Sequence, residues 1–121
     1  MAKILIIDDD ASTRELLQHV LQHANHTVFA ASNGEEGIRL ARQTEVELII
    51  TDILMPGRDG LEVIREMHRE SPAVKIIAVS GGGAYVGLET LETAKDFGAV
   101  ETLSKPLDMS RLMAAVNRWL H

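Results

Sequence analysis

The sequence predicts a doubly wound α/β fold, a parallel sheet covered by helices on both faces. Short apolar runs alternate with stretches of helical periodicity, five of each, along a chain of 121 residues. Parallel neighbours require crossover connections, and helices in those connections cover the sheet. Four of the runs also stop on polar residues: ILII on Asp8 and Asp9, LIIT on Asp52, IIAV on Ser80 and VETLS on Lys105.

Each element has a local reason. Lys3 to Ile7 reads as the first strand, and Leu16, Leu17, Val20 and Leu21 recur at the helical period, so Ala11 to Ala24 is expected to be a helix with one buried stripe. Thr27 to Ala31 is the second strand. Asn33 followed by Glu36 is an N-cap with a box-like acid three residues on, and Ile38, Leu40 and Ala41 give the second helix its apolar surface. Glu47 to Thr51 returns to strand. Asp59 with Glu62 repeats the capping signal before Leu61, Ile64 and Met67, and Ser71-Pro72 ends the third helix. Lys75 to Val79 is the fourth strand. Leu88, Leu91, Ala94 and Lys95 mark a fourth helix that Gly98 terminates. Val100 to Leu103 is the last strand, and Met109, Leu112, Met113, Val116 and Leu120 define the last helix. No repeat, linker or low-complexity segment interrupts the series, so residues 1–121 read as one domain.

Bulk properties exclude several classes of function. The formal charge of −6, from 12 Lys and Arg against 18 Asp and Glu, argues against direct binding of nucleic acid, which needs a concentrated basic face. Aromatic residues are 3% of the chain, and Phe29, Tyr85, Phe97 and Trp119 are too scattered to stack bases. Zero cysteines exclude a disulfide framework and thiolate chemistry. The first apolar run is too short for a signal peptide, and no run approaches a membrane span, so no membrane role and a cytoplasmic location are expected. Asn25-His26-Thr27 matches a glycosylation sequon that a cytoplasmic chain would never use.

In doubly wound sheets, ligands bind beyond the carboxyl ends of the strands. There the fold would gather Asp8, Asp9, Asp52, Ser80 and Lys105: three carboxylates, one hydroxyl and one ammonium. That is the composition of a magnesium-dependent phosphoryl-acceptor site. A carboxylate can attack phosphorus if a cation offsets the repulsion between anions, and such transfers depend on positioning and electrostatics. Uncompensated, the three acids would repel one another, and Mg²⁺ prefers an oxygen shell of this kind. Each residue also has a plainer reading. Acids before a helix often only cap it, which is the role expected of Asp10. Asp52 could belong to a turn before Pro56-Gly57, a serine ending a strand is usually a turn former, and a lysine before proline is usually solvated. The constellation, not any single residue, carries the functional reading.

The pieces together resemble a response-regulator receiver domain of two-component signalling, of the single-domain, chemotaxis-regulator type. They are Asp8-Asp9 after the first strand, Asp52-Ile53-Leu54-Met55-Pro56-Gly57-Arg58-Asp59-Gly60 after the third, Val79-Ser80-Gly81 after the fourth and Ser104-Lys105-Pro106 after the fifth. The match runs in order along the full chain. The resemblance implies a flavodoxin-like sheet of order 2-1-3-4-5. It assigns Asp52 as phosphoacceptor, Asp9, Asp52 and the backbone carbonyl of Leu54 as direct Mg²⁺ ligands with Asp8 acting through water, and Ser80 and Lys105 as the groups that grip phosphoryl oxygens. It also implies a cis Lys105-Pro106 bond. The expected partners are a sensor histidine kinase or histidine phosphotransfer protein and an output protein the sequence does not identify. The chain is expected to be a phosphoacceptor, with self-phosphorylation and autodephosphorylation as its only reactions.

Two departures bear on signalling. The fifth-strand position three before the lysine, usually aromatic in receivers, is Thr102, which shifts attention to the glycine loop, the fourth helix and Tyr85. The positions that usually tune phosphoryl lifetime are Leu54 and Gly82, neither able to orient a water, so slow autodephosphorylation is expected. Other motifs carry less. Gly81-Gly82-Gly83 with Gly87 fits neither a dinucleotide fingerprint nor a P-loop. His19 and His23, four apart, read as a solvated helix flank rather than a zinc site. Ile7-Asp8-Asp9-Asp10-Ala11-Ser12 also satisfies the first motif of haloacid-dehalogenase-like phosphatases, with Asp8 as nucleophile. That reading leaves Asp52 idle, finds no acidic pair after Lys105 and needs a longer chain. Because the sequence ends at Leu120-His121 it is expected to act through a partner or a phosphorelay, though it could be excised from a longer DNA-binding regulator.

Overall fold

The computed structural model describes residues 2–53, 60–80 and 88–120. Among them, ten elements alternate in chain order: β1 (Lys3–Ile7), α1 (Ala11–His23), β2 (Thr27–Ala31), α2 (Gly34–Gln43), β3 (Leu48–Asp52), α3 (Gly60–Glu70), β4 (Lys75–Ser80), α4 (Leu88–Phe97), β5 (Glu101–Ser104) and α5 (Met109–Leu120). The strands form one parallel sheet in the order β2-β1-β3-β4-β5. The expected alternation and strand order are both found. Three strands run one residue further than expected, so Asp52, Ser80 and Ser104 are their last residues rather than the first residues beyond them.

Alternation along the strands builds two cores. Leu5, Ile7, Ile49, Ile76 and Ala78 pack with Ile38, Val63, Ile64, Met67 and Ala94 of α2, α3 and α4. Ile4, Ile6, Leu48, Ile50, Ile77 and Val79 pack on the other face with Leu17, Leu21, Leu112, Ala115 and Val116 of α1 and α5. Burying such a side chain contributes about 1.5–3 kcal/mol, so the central strands anchor the fold. The expected stripe of α1 is narrower than its sequence suggests: Leu17 and Leu21 are fully buried, while Leu16 is 49% exposed. Leu16 precedes Leu17 by about 100° of helical turn, which carries it off the sheet-facing side.

Helix ends follow local chemistry. Asn33 caps α2, its side-chain oxygen accepting from the Glu36 N–H at 2.9 Å, while Glu36 accepts from the Ser32 N–H at 2.7 Å, one residue earlier than in the expected box. Asn25, at φ 70°, ends α1: its N–H donates to the Gln22 carbonyl and the His26 N–H to the Leu21 carbonyl. Gly98, at φ 132°, ends α4 in the same way, through Lys95 and Ala94. The sequence signal at Gly98 is thus a true terminator, and the Asn25 of the sequon is a helix cap. The expected cap at Asp59 lies outside the described residues.

Candidate functional site

The register of the sheet brings the site together. Ile7 pairs with Thr51, Asp52 with Val79, and Ser80 with Ser104. The ladder continues past the strand ends: the Asp8 N–H donates to the Ala31 carbonyl at 3.1 Å, the Ile53 N–H to Val79 at 2.9 Å and the Lys105 N–H to Ser80 at 3.0 Å. Asp8 and Asp52 therefore stand beside one another at the carboxyl edge, each only 3% exposed.

Lys105 reaches into this edge from the end of β5. Its ammonium lies 3.0 Å from Asp8 Oδ2 and 3.0 Å from Asp52 Oδ2. Burial, the largest single influence, pulls its pKa down, but the hydrogen bonds and charges of Asp52 and Asp8 together outweigh it and hold the ammonium above its ordinary value. It stays protonated throughout the physiological range. The Lys105–Pro106 bond is cis.

Asp9 is exposed, and one oxygen from each of Asp8, Asp9 and Asp52 lies within 4.8 Å of the others. Three carboxylates against one ammonium leave a formal excess of two negative charges. An all-oxygen donor set with uncompensated charge fits a hard divalent cation.

The β1–α1 turn is fixed from both sides. Asp10 is the N-cap of α1, accepting from the Ser12 N–H at 3.0 Å and the Thr13 hydroxyl at 2.9 Å. The Thr13 bond, followed by that of Ser12, holds its carboxyl below the usual range. Its structural role is thus as expected, and its own N–H donates to Asp8 Oδ1 at 2.9 Å. Arg14, which sequence reasoning passed over, donates from Nη1 to the Asp8 carbonyl at 2.8 Å. The available signal was its position one helical turn after the cap, where a long side chain can return to the loop.

Ser80 is at the edge and 4% exposed, but its hydroxyl is turned to β5, 3.4 Å from the Leu103 carbonyl and 3.4 Å from Ser104 Oγ. Ser104 is the second residue whose contribution sequence reasoning missed. Thr102 pairs with Ala78, two residues inside the edge. His19 and His23 lie on the exposed side of α1 with ring centroids 6.3 Å apart, away from the carboxylate cluster. Leu54, Gly57, Asp59, Gly81, Gly82, Gly83, Tyr85 and Gly87 lie outside the described residues.

Comparison with known proteins agrees with this geometry. The response regulator receiver domain model matches residues 4–117. The chain is 30% identical to sporulation initiation phosphotransferase F of Bacillus subtilis over 98% of its own length and 93% of that protein. Chemotaxis protein CheY4 of Vibrio cholerae superposes with a TM-score of 0.90 at 29% identity, covering 98% of both chains. Response regulator TrrA of Thermotoga maritima, solved with Mg²⁺ and beryllofluoride, superposes with a TM-score of 0.85 at 30% identity, covering 98% of this chain and 99% of that one. Some curated relatives are longer, and the chain spans 46% and 26% of two of them. With its family match, strand order and acidic edge in agreement, the chain belongs to the receiver domains of two-component response regulators.

Proposed function

We propose that Asp52 accepts a phosphoryl group in a Mg²⁺-dependent reaction, donated by a sensor histidine kinase or a histidine phosphotransfer protein. The observation that carries this reading is the buried Asp52 carboxylate sharing the Lys105 ammonium with Asp8 at 3.0 Å. An Asp52 oxygen attacks phosphorus, and an oxygen–phosphorus bond forms as the donor's nitrogen–phosphorus bond breaks. Asp9, Asp52 and the Leu54 carbonyl, with Asp8 through water, would hold Mg²⁺, whose charge offsets the repulsion between carboxylate and phosphoryl oxygens when it is bound. The likeness to TrrA, a protein solved with Mg²⁺ and beryllofluoride, supports this reading of the carboxylate cluster.

Lys105, already charged and aimed at Asp52, takes up the negative charge of the product, and Ser80 supplies a hydroxyl proton. The acyl phosphate adds about one unit of negative charge at the edge. The signal then passes by phosphorylation-dependent protein binding or onward through a phosphorelay, a role supported by the likeness to sporulation initiation phosphotransferase F. Residues 1–121 act as one receiver unit in the cytoplasm; no helix among the described residues is long and apolar enough to cross a membrane. In the phosphatase alternative Asp52 would be idle, whereas here it shares the ammonium with Asp8.

Labelling with a phosphodonor tests the assignment. Acid-stable, base-labile phosphate is expected in the parent and in Asp8→Asn, and none in Asp52→Asn. Label retained in Asp52→Asn but lost in Asp8→Asn would replace this reading with the phosphatase one.

A further inference from the structure

The Ser80 hydroxyl has two neighbours on β5, and only one of them is a side chain. β4 and β5 are locked at this level by the Ser80–Ser104 pairing and by the Lys105 N–H, which donates to the Ser80 carbonyl at 3.0 Å. Within that frame the hydroxyl stands 3.4 Å from the Leu103 carbonyl and 3.4 Å from Ser104 Oγ. Ser104 is itself exposed, so Ser80, 4% exposed, is the inner member of a hydroxyl pair at the rim of the site.

We infer that Ser104 is a positioning residue that acts through Ser80: it holds the Ser80 hydroxyl against β5 and so sets how readily that hydroxyl turns to a phosphoryl group on Asp52. The inference rests on the proposed role of Ser80 as a phosphoryl-oxygen donor. A hydroxyl has one proton, so Ser80 cannot donate to β5 and to a phosphoryl oxygen at the same time. Engaging the product therefore requires release from β5. At 3.4 Å both contacts are longer than the about 2.5–3.0 Å of an ordinary O–H···O hydrogen bond, a hold weak enough to be exchanged for a charged acceptor. The Leu103 carbonyl belongs to the backbone and is present whatever residue stands at 104. The Ser104 hydroxyl is the adjustable part of the hold, and it stands one residue before Lys105, the group that marks Asp52.

The test is a titration of the full chain with beryllofluoride in excess Mg²⁺, followed by backbone amide NMR shifts. Loss of the competing acceptor is expected to tighten beryllofluoride binding about three-fold in Ser104→Ala. Ser104→Thr, which keeps a hydroxyl, is expected to restore the parent affinity, and Ser80→Ala to weaken binding. In the Ser80→Ala background, adding Ser104→Ala is expected to change nothing, because the effect travels through Ser80. If Ser80→Ala weakens binding while Ser104→Ala leaves it unchanged or weaker, the inference about Ser104 is wrong and the proposed site stands. Equal shifts in Ser104→Ala and Ser104→Thr would likewise overturn it, by showing a packing effect. If Ser80→Ala leaves beryllofluoride binding unaltered, the reading of Ser80 fails and takes the inference with it.

Discussion

Replacing Asp9 by asparagine removes one charge from the cluster and little else, because the side chains are nearly isosteric and Asp9 is exposed. The three carboxylates offer oxygens within 4.8 Å of one another, and at that distance two unit charges repel by about 0.9 kcal/mol in bulk water or about 3.5 kcal/mol at an effective dielectric of about 20. Asp9 stands near two carboxylates, and the single ammonium that bridges that pair offsets one of their two charges. Two repulsions less one attraction leave roughly one unit of repulsion, and exposure places its value near the lower figure. Asp9→Asn should therefore stabilise the fold by about 1 kcal/mol in EDTA at low salt, raising Tm by about 3–6 °C. Mg²⁺ acts in the opposite sense. At a hundred times its dissociation constant a bound ion stabilises the parent by about 2.7 kcal/mol, and a variant lacking one proposed ligand should lose most of that gain. Urea unfolding in EDTA and in MgCl₂ should thus reverse the order of the two proteins, and added NaCl should shrink the difference seen in EDTA. A variant less stable than the parent in EDTA, or one that keeps the parent's full response to Mg²⁺, would refute the reasoning.

Gly60→Ala tests the support beneath Asp52: a Cβ there would stand 2.1 Å from the Ile53 carbonyl oxygen and 2.6 Å from Ile53 Cα, both backbone atoms of the residue after Asp52. At the first residue of α3 helix propensity favours alanine by less than the about 1 kcal/mol of a helix interior, so a net loss of about 2 kcal/mol or more in urea unfolding, with weaker beryllofluoride binding, is expected, and a stabilised variant would contradict the contact. His26 tests the other end of the sheet, where its Nδ1 accepts from the Ala2 N–H at 3.2 Å and partial burial depresses its pKa despite the opposing charge of Glu47. A depressed pKa means that the unfolded chain binds the extra proton first, so the stability from neutral His26 is complete above about pH 6.5 and is lost as pH falls through the folded value. His26→Asn keeps an acceptor but cannot titrate. Its urea midpoint should fall less than the parent's between about pH 7.5 and about pH 5, and parallel pH profiles would exclude His26 as the source.

The order of elements, the caps at Asn33 and Gly98, and the set of residues that meet at the carboxyl edge all follow from the amino-acid sequence alone. These are local properties: periodicity, capping chemistry and the polar residue that ends an apolar run act over a few neighbours and are legible wherever they occur. What the fold decided is pairwise and long-range. That Lys105 is shared between Asp8 and Asp52 rather than directed at Asp52 alone depends on β1 and β3 lying side by side. Leu16 fits the helical period as well as Leu21 does, yet only the placement of α1 on the sheet leaves one exposed and the other buried. Arg14 belongs to no motif and Ser104 only flanks Lys105-Pro106 in one, so neither role is local: each reaches a residue brought near through strand or turn geometry, the Asp8 carbonyl for one and the Ser80 hydroxyl for the other. The chemistry at the edge was written in residue types. How its hydroxyl and its cation are held was set by register, which no local pattern encodes.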